Sequence, residues 1–144
     1  MRVVRESVGP SFIVGTEYRP IQRVLIAYDG SDTAARTMQR FAQLRPFGTE
    51  VSVEVLTVYD DEEAETRLML SLVQEYLQEH GFKVTTTARK GDNPEEAIVA
   101  FAQEIEADLI VAGAYATTGL KKLLFGSSTS ALIEKTTVPL FLYH

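Results

Sequence analysis

Four short apolar runs, each bounded by turn residues, restrict what this chain can build. Arg23-Val-Leu-Ile-Ala-Tyr28 stops at Asp29-Gly30-Ser31, and Leu109-Ile-Val-Ala112 stops at Gly113. Neither run alternates apolar with polar residues. An unbroken apolar run of this length suits a strand buried on both faces, which is the mark of a parallel sheet. Val51, Val53, Val55, Leu56 and Val58 supply a second strand, and Val138 to Tyr143 the last one. Pro139 stands near the start of that last strand, where a missing N–H does least harm. Phe82 to Ala88 is polar and β-branched, so it reads as an edge strand.

Between the strands the apolar period lengthens to that of a helix. Ser31 or Asp32 can cap a first helix whose stripe is Ala34, Ala35, Met38, Phe41, Ala42 and Leu44, ended by Pro46 and Gly48. Asp60, Asp61 and Glu62 open a second, with acids near its positive end. Its stripe reads Leu68, Leu72, Val73, Tyr76 and Leu77, and Gly81 ends it, with His80 set to reach the last carbonyls. Asn93 caps a third helix, Pro94 fits its first turn, and Ala97, Ile98, Phe101, Ala102 and Ile105 form its buried side. A further helix runs from about Ser128 to Lys135. Strands alternating with helices imply right-handed crossovers and a parallel sheet covered on both faces.

The chain of 144 residues is long enough for one domain with a substantial core. A formal net charge of −6 argues against a nucleic-acid face and against an anionic membrane surface. There is no Cys, which removes disulfides, thiol catalysis and cysteine-metal sites. The two histidines, His80 and His144, give little material for zinc. No apolar run has the length of a membrane span, and the first residues lack a hydrophobic signal core. The expected location is cytoplasmic.

In open parallel sheets, ligands bind beyond the carboxyl ends of the strands, where the winding reverses. The residues just after the first and fourth strands, Asp29 and Gly113, therefore stand out. After Gly113 comes a small-residue loop to Gly119, then Gly126-Ser127-Ser128 at the start of the helical pattern. Unpaired N–H groups at a helix start carry partial positive charge and can hold phosphate, and glycine permits close approach. Familiar phosphate motifs are excluded. The turn after the first strand is not G-x-G-x-x-G, Gly113 to Gly119 is out of register for a P-loop, and no G-x-S-x-G elbow occurs.

What remains is Val24-Leu-Ile-Ala-Tyr-Asp29-Gly-Ser, followed later by Gly113-x-x-Ala116, nine residues, and Gly126-Ser127. This pattern resembles the universal stress protein family. Gly91-Asp-Asn-Pro-Glu-Glu-Ala-Ile98, Ala107-Asp-Leu-Ile-Val111 and Val138-Pro-Leu140 add to the likeness, which covers about residues 22 to 144. The resemblance implies an α/β fold: an open five-stranded parallel sheet of order 3-2-1-4-5 with helices on both faces, adenine nucleotide α-hydrolase-like. It implies ATP as cofactor, held between strands one and four, with any Mg2+ riding on the phosphates. On matching positions Asp29 would contact the ribose and the Val58 backbone the adenine. Gly113, Ala116, Gly126, Ser127 and Ser128 would surround the phosphates.

Ala116 departs from the family pattern, where binders have glycine, and one methyl there costs about 1 kcal/mol or more if it meets a phosphate or requires positive φ. The competing expectation is thus a dimeric interaction module that binds no nucleotide. Bland readings accompany the sharp ones: Asp29 can simply close a turn, Ser127 can be a helix cap, and Lys121 and Lys122 can be solvated charges. No general base is evident, so catalysis is limited to slow ATP hydrolysis at most. Residues 1–21 read as an arm or linker ahead of a 22–144 domain, with residues 1–8 a remnant of a preceding domain in a tandem protein or, alternatively, the segment an arm that pairs with a partner subunit. The apolar last strand, taken as a sheet edge, is the expected contact for a homodimer or tandem partner.

Overall fold

The structure, a computed structural model, describes residues 10–13, 21–113 and 140–143. Its centre is a pair of parallel strands, β2 (Arg23–Ala27) and β5 (Leu109–Gly113), in register from Val24 opposite Leu109 to Ile26 opposite Val111. Every residue of β5 and all of β2 after Arg23 are buried. That is why these two runs carry no alternation. β3 (Ser52–Tyr59) pairs parallel with β2, and β4 (Lys83–Lys90) pairs parallel with β3.

Side chains leave the central strands alternately to two cores, as the period of two requires. Val24, Ile26, Val53, Val55, Leu109 and Val111 meet α1 (Asp32–Leu44) and α2 (Glu63–Glu79) through Phe41, Leu70 and Leu77. Leu25, Leu56, Ile110 and Ala112 meet α3 (Pro94–Glu104) through Ile98, Val99, Phe101 and Ala102. The chain winds from β2 to β3 to β4, then reverses and inserts β5 on the far side of β2. With crossovers of one hand, that reversal moves the covering helix to the other face. α1 and α2 lie on one face and α3 on the other for this reason.

The strands β4-β3-β2-β5 keep the expected 3-2-1-4 order, and β6 (Leu140–Tyr143), parallel to β5, takes the fifth place. The expectation of five strands, all parallel, is corrected by β1 (Pro10–Ile13), which runs antiparallel to β6, so that among the described residues the sheet has six strands in the order β1-β6-β5-β2-β3-β4. Among these strands the last one is consequently not the sheet edge. Four residues of the arm expected at 1–21 hold that position.

The helix ends follow from local chemistry. Ser31, not Asp32, is the N-cap of α1, its hydroxyl accepting from the Ala34 N–H at 3.1 Å. The Asn93 side-chain oxygen Oδ1 accepts from the Glu96 N–H at 3.2 Å, with Pro94 in the first turn. His80 Nδ1 lies 3.0 Å from the Tyr76 carbonyl at the end of α2. The buried face of α2 differs from the expected stripe. Thr66, Leu70, Val73 and Leu77 face inward, while Leu68 and Leu72 are 65% and 60% exposed. Spacings of four, three and four keep the inward set on one side of the helix. Leu68 and Leu72 share a period with each other but stand on the opposite side.

Candidate nucleotide site

The chain leaves β2 at Tyr28 and turns sharply. The Asp29 carboxylate accepts from the Ser31 N–H at 2.9 Å, an Asx turn. Gly30 takes φ +82°, a conformation that side-chain-bearing residues avoid. This turn delivers Ser31 to the start of α1, so the helix N-terminus opens immediately beyond the sheet. Thr57 ties the neighbouring strand to the same place: its hydroxyl donates to the Tyr28 carbonyl at 2.6 Å, and the Tyr28 N–H donates to the Leu56 carbonyl at 2.9 Å.

Gly113 ends β5 against the first turn of α1. A β-carbon there would lie 3.0 Å from the Thr33 methyl and 3.1 Å from the Ala34 nitrogen, both tighter than nearly all real β-carbon contacts. The glycine thus lets the fourth strand of the 3-2-1-4 series approach the helix that follows the first. From the other face, Pro94 and Glu95 at the start of α3 complete the rim.

These elements enclose a cavity of ≈ 230 Å³ lined by Asp29, Ser31, Val58, Glu95, Ile98 and Gly113, among others. Three residues singled out in the sequence, Asp29, Val58 and Gly113, come together here at the carboxyl ends of β2, β3 and β5. Ala116, Gly126, Ser127 and Ser128, with Lys121 and Lys122, lie outside the described residues. Sequence reasoning missed Glu95. Its signal was its place in the first turn of a capped helix following a strand, which aims it at the same end of the sheet.

The electrostatics of the described lining are negative, with Asp29 and Glu95 and no cation. Burial, then the adjacent Asp29 carboxylate, raises the Tyr28 phenol above its ordinary value. A second hollow of ≈ 450 Å³ shares Asp29 and Val58 and carries Asp60, Asp61, Glu62 and Glu65 at the start of α2. There a hydrogen bond with Glu65, then the Glu65 charge, raises the Glu62 carboxyl. A larger hollow of ≈ 630 Å³ lies at the opposite, amino end of the strands. Asp108, on its wall, holds the chain in place there, its Oδ2 accepting from the Gln22 and Arg23 N–H groups at 3.0 and 2.9 Å. The candidate site lies at the other end of the sheet, where the winding reverses.

The family model described as "Universal stress protein family" matches residues 51–144. The chain belongs to the universal stress protein family. The universal stress protein Slr1230 of Synechocystis sp. is 26% identical over 143 residues, 99% of this chain and 49% of its own length. The chain spans about half the length of the curated universal stress proteins it matches. Among solved structures, a universal stress protein in complex with cAMP superimposes with a TM-score of 0.66 at 22% identity, over 88% of this chain and 98% of its own. The universal stress protein from Archaeoglobus fulgidus in complex with dAMP gives 0.61 at 24%, over 88% and 100%. At these identities the likeness is one of fold. No described helix of this universal stress protein is long and apolar enough to cross a membrane.

Proposed function

We propose that this universal stress protein binds an adenine nucleotide, ATP with Mg2+ on its phosphates, in the crevice between β2 and β5. The observation that carries the reading is the convergence of Asp29, Val58 and Gly113 on one cavity at the switch point. Family relatives of the same fold have been crystallised with cAMP and dAMP, which supports an adenine nucleotide as the ligand class.

On this reading the Asp29 carboxylate accepts from ribose hydroxyls, and the Val58 backbone meets the adenine edge. The phosphates run toward Gly113 and on to Ala116, Gly126, Ser127 and Ser128. The described rim offers carboxylates and no cation. On this reading backbone N–H groups, hydroxyls and the bound metal ion meet the phosphate charge. No described residue in the cavity is a histidine placed as a general base, and the proposed role is regulatory, with hydrolysis at most slow. Nucleotide binding would stabilise one conformation or assembly and so shift populations in a cytoplasmic stress response. The assembly proposed is a homodimer, or a pairing with a tandem domain, built on the 22–144 domain with residues 1–21 as its arm.

A second reading, an interaction module of the same fold that binds no nucleotide, is favoured by Ala116 in place of glycine. Denaturing the purified protein and measuring released adenine by absorbance decides between them. Nucleotide in the supernatant, or saturable binding of added ATP, supports the first reading. A protein that is empty and fails to bind ATP at millimolar concentration leaves only the second.

A further inference from the structure

We propose that β1 is an edge cap. It occupies, within its own chain, the hydrogen-bonding edge of β6 that a second copy of this chain would otherwise use. The proposal rests on the strand-mediated assembly suggested above, and it is independent of nucleotide.

The strand β6 has two ladder edges. One pairs with β5 from Ile110 opposite Leu140 to Gly113 opposite Tyr143. The other pairs with β1, Pro10 opposite Tyr143 through Ile13 opposite Leu140. Without β1, the N–H and C=O groups on the outer edge of an apolar strand, Leu-Phe-Leu-Tyr, would face solvent. Such an edge is a template for strand addition from another molecule. β1 offers a poorer template on its own outer side. Its described residues include Pro10, which has no N–H to donate. Edge prolines are a usual device against edge-to-edge association.

The connection allows this pairing within one chain. Because β1 is antiparallel to β6, Ile13 lies at the same end of the sheet as Arg23, where β2 begins. Three strand spacings separate β1 from β2, about 14 Å. Residues 14–22 reach about 30 Å when extended. A tethered strand acts at an effective concentration in the millimolar range. A second copy at micromolar concentration therefore competes poorly for the same edge until β1 is displaced. The partner that fits the freed edge is the identical strand of another copy, related by a two-fold axis and paired antiparallel.

The absence of cysteine makes the pairing directly testable. Ser11 and Leu142 are register partners, and antiparallel partners have Cα atoms roughly 4.5–5.5 Å apart, within disulfide range. Oxidation of the full chain carrying Ser11→Cys and Leu142→Cys, at low micromolar concentration, is expected to give a cross-link within one chain. No cross-link, or cross-links only between chains, overturns the proposal.

A second full-length variant, Ser11→Pro with Phe12→Pro, removes the cap. Successive strand residues direct their N–H groups to opposite sides, so one of the two prolines deletes a donor to β6. Sedimentation equilibrium is expected to show self-association strengthened on the order of 10²-fold over the parent, with amide protection at 140–143 rising with concentration. Unchanged association overturns the proposal. Should the variant precipitate, an excess of a synthetic peptide spanning residues 8–15 decides the matter. Return to the parent mass supports the cap, and no effect overturns it. None of these readouts uses nucleotide, so failure here and failure of ATP binding are separate results.

Discussion

Gly113 sits so close to Thr33 that a β-carbon on the glycine would come within 3.0 Å of the threonine methyl. The contact joins the end of β5 to the start of α1 across the point where the winding reverses. Gly113→Ala requires its neighbours, two of them backbone atoms, to give by a few tenths of an ångström in a well-packed region. Overpacking of this kind costs typically about 1–3 kcal/mol. Urea unfolding without ligand should show that loss, and any nucleotide affinity should fall further because the crevice changes shape. An unchanged urea midpoint would falsify the close approach.

Thr57 and Tyr28 form the second tie between strand ends. Thr57 is 4% exposed and its hydroxyl donates to the Tyr28 carbonyl. Thr57→Val keeps the shape and removes the donor, leaving a partly buried carbonyl short of one partner. The expected loss is about 1–3 kcal/mol. It is measured as a shift in the midpoint of chemical unfolding, with Thr57→Ser retaining more of the stability than Thr57→Val.

The α2 face gives a sharp contrast. Leu70 is buried and Leu72, two residues on, is 60% exposed. Leu70→Ala should cost about 2–5 kcal/mol, whereas Leu72→Ala should stay within roughly 0.5 kcal/mol. Equal losses at both positions would rotate the helix back to the stripe read from the sequence.

Tyr28 sets a limit at alkaline pH. Its phenol is raised by burial and then by Asp29, and burial also raises Tyr76. A phenol whose folded value exceeds its unfolded one, about 10, holds its proton more tightly when folded. The contribution is complete below that unfolded value and is lost as pH rises through the folded one. Melting temperatures should therefore fall above about pH 10, and less so in Tyr28→Phe. Asp29→Asn should move the Tyr28 titration, followed by ultraviolet absorbance, toward its ordinary value.

Asp29→Ala and Ala116→Gly separate the two readings of function. The first removes the carboxylate that lines the cavity and accepts from Ser31. It should abolish ATP binding measured by calorimetry. The second restores the family glycine, and relief of about 1 kcal/mol corresponds to roughly five-fold tighter ATP binding. Binding that ignores both substitutions places the nucleotide elsewhere.

Much of the architecture was legible because its signals are local. The buried runs Val24–Ala27 and Leu109–Gly113, the Ser31 and Asn93 caps and the Gly81 stop each depend on a few neighbouring residues. Periodicity and capping are set by backbone geometry that those neighbours share. Asp29 and Gly113 were legible as candidates because each follows or closes such a run.

Only the tertiary structure decided which side of α2 turns inward, that Glu95 reaches the crevice, and that β1 rather than β6 ends the sheet. Each depends on groups far apart in sequence meeting in space. The same short apolar segment can serve as an edge strand or an inner one, and the difference lies in whether another strand pairs with its second row of N–H and C=O groups. The sequence marks 140–143 as a strand and leaves 10–13 within an arm. Their pairing, not their composition, determines which of them ends the described sheet.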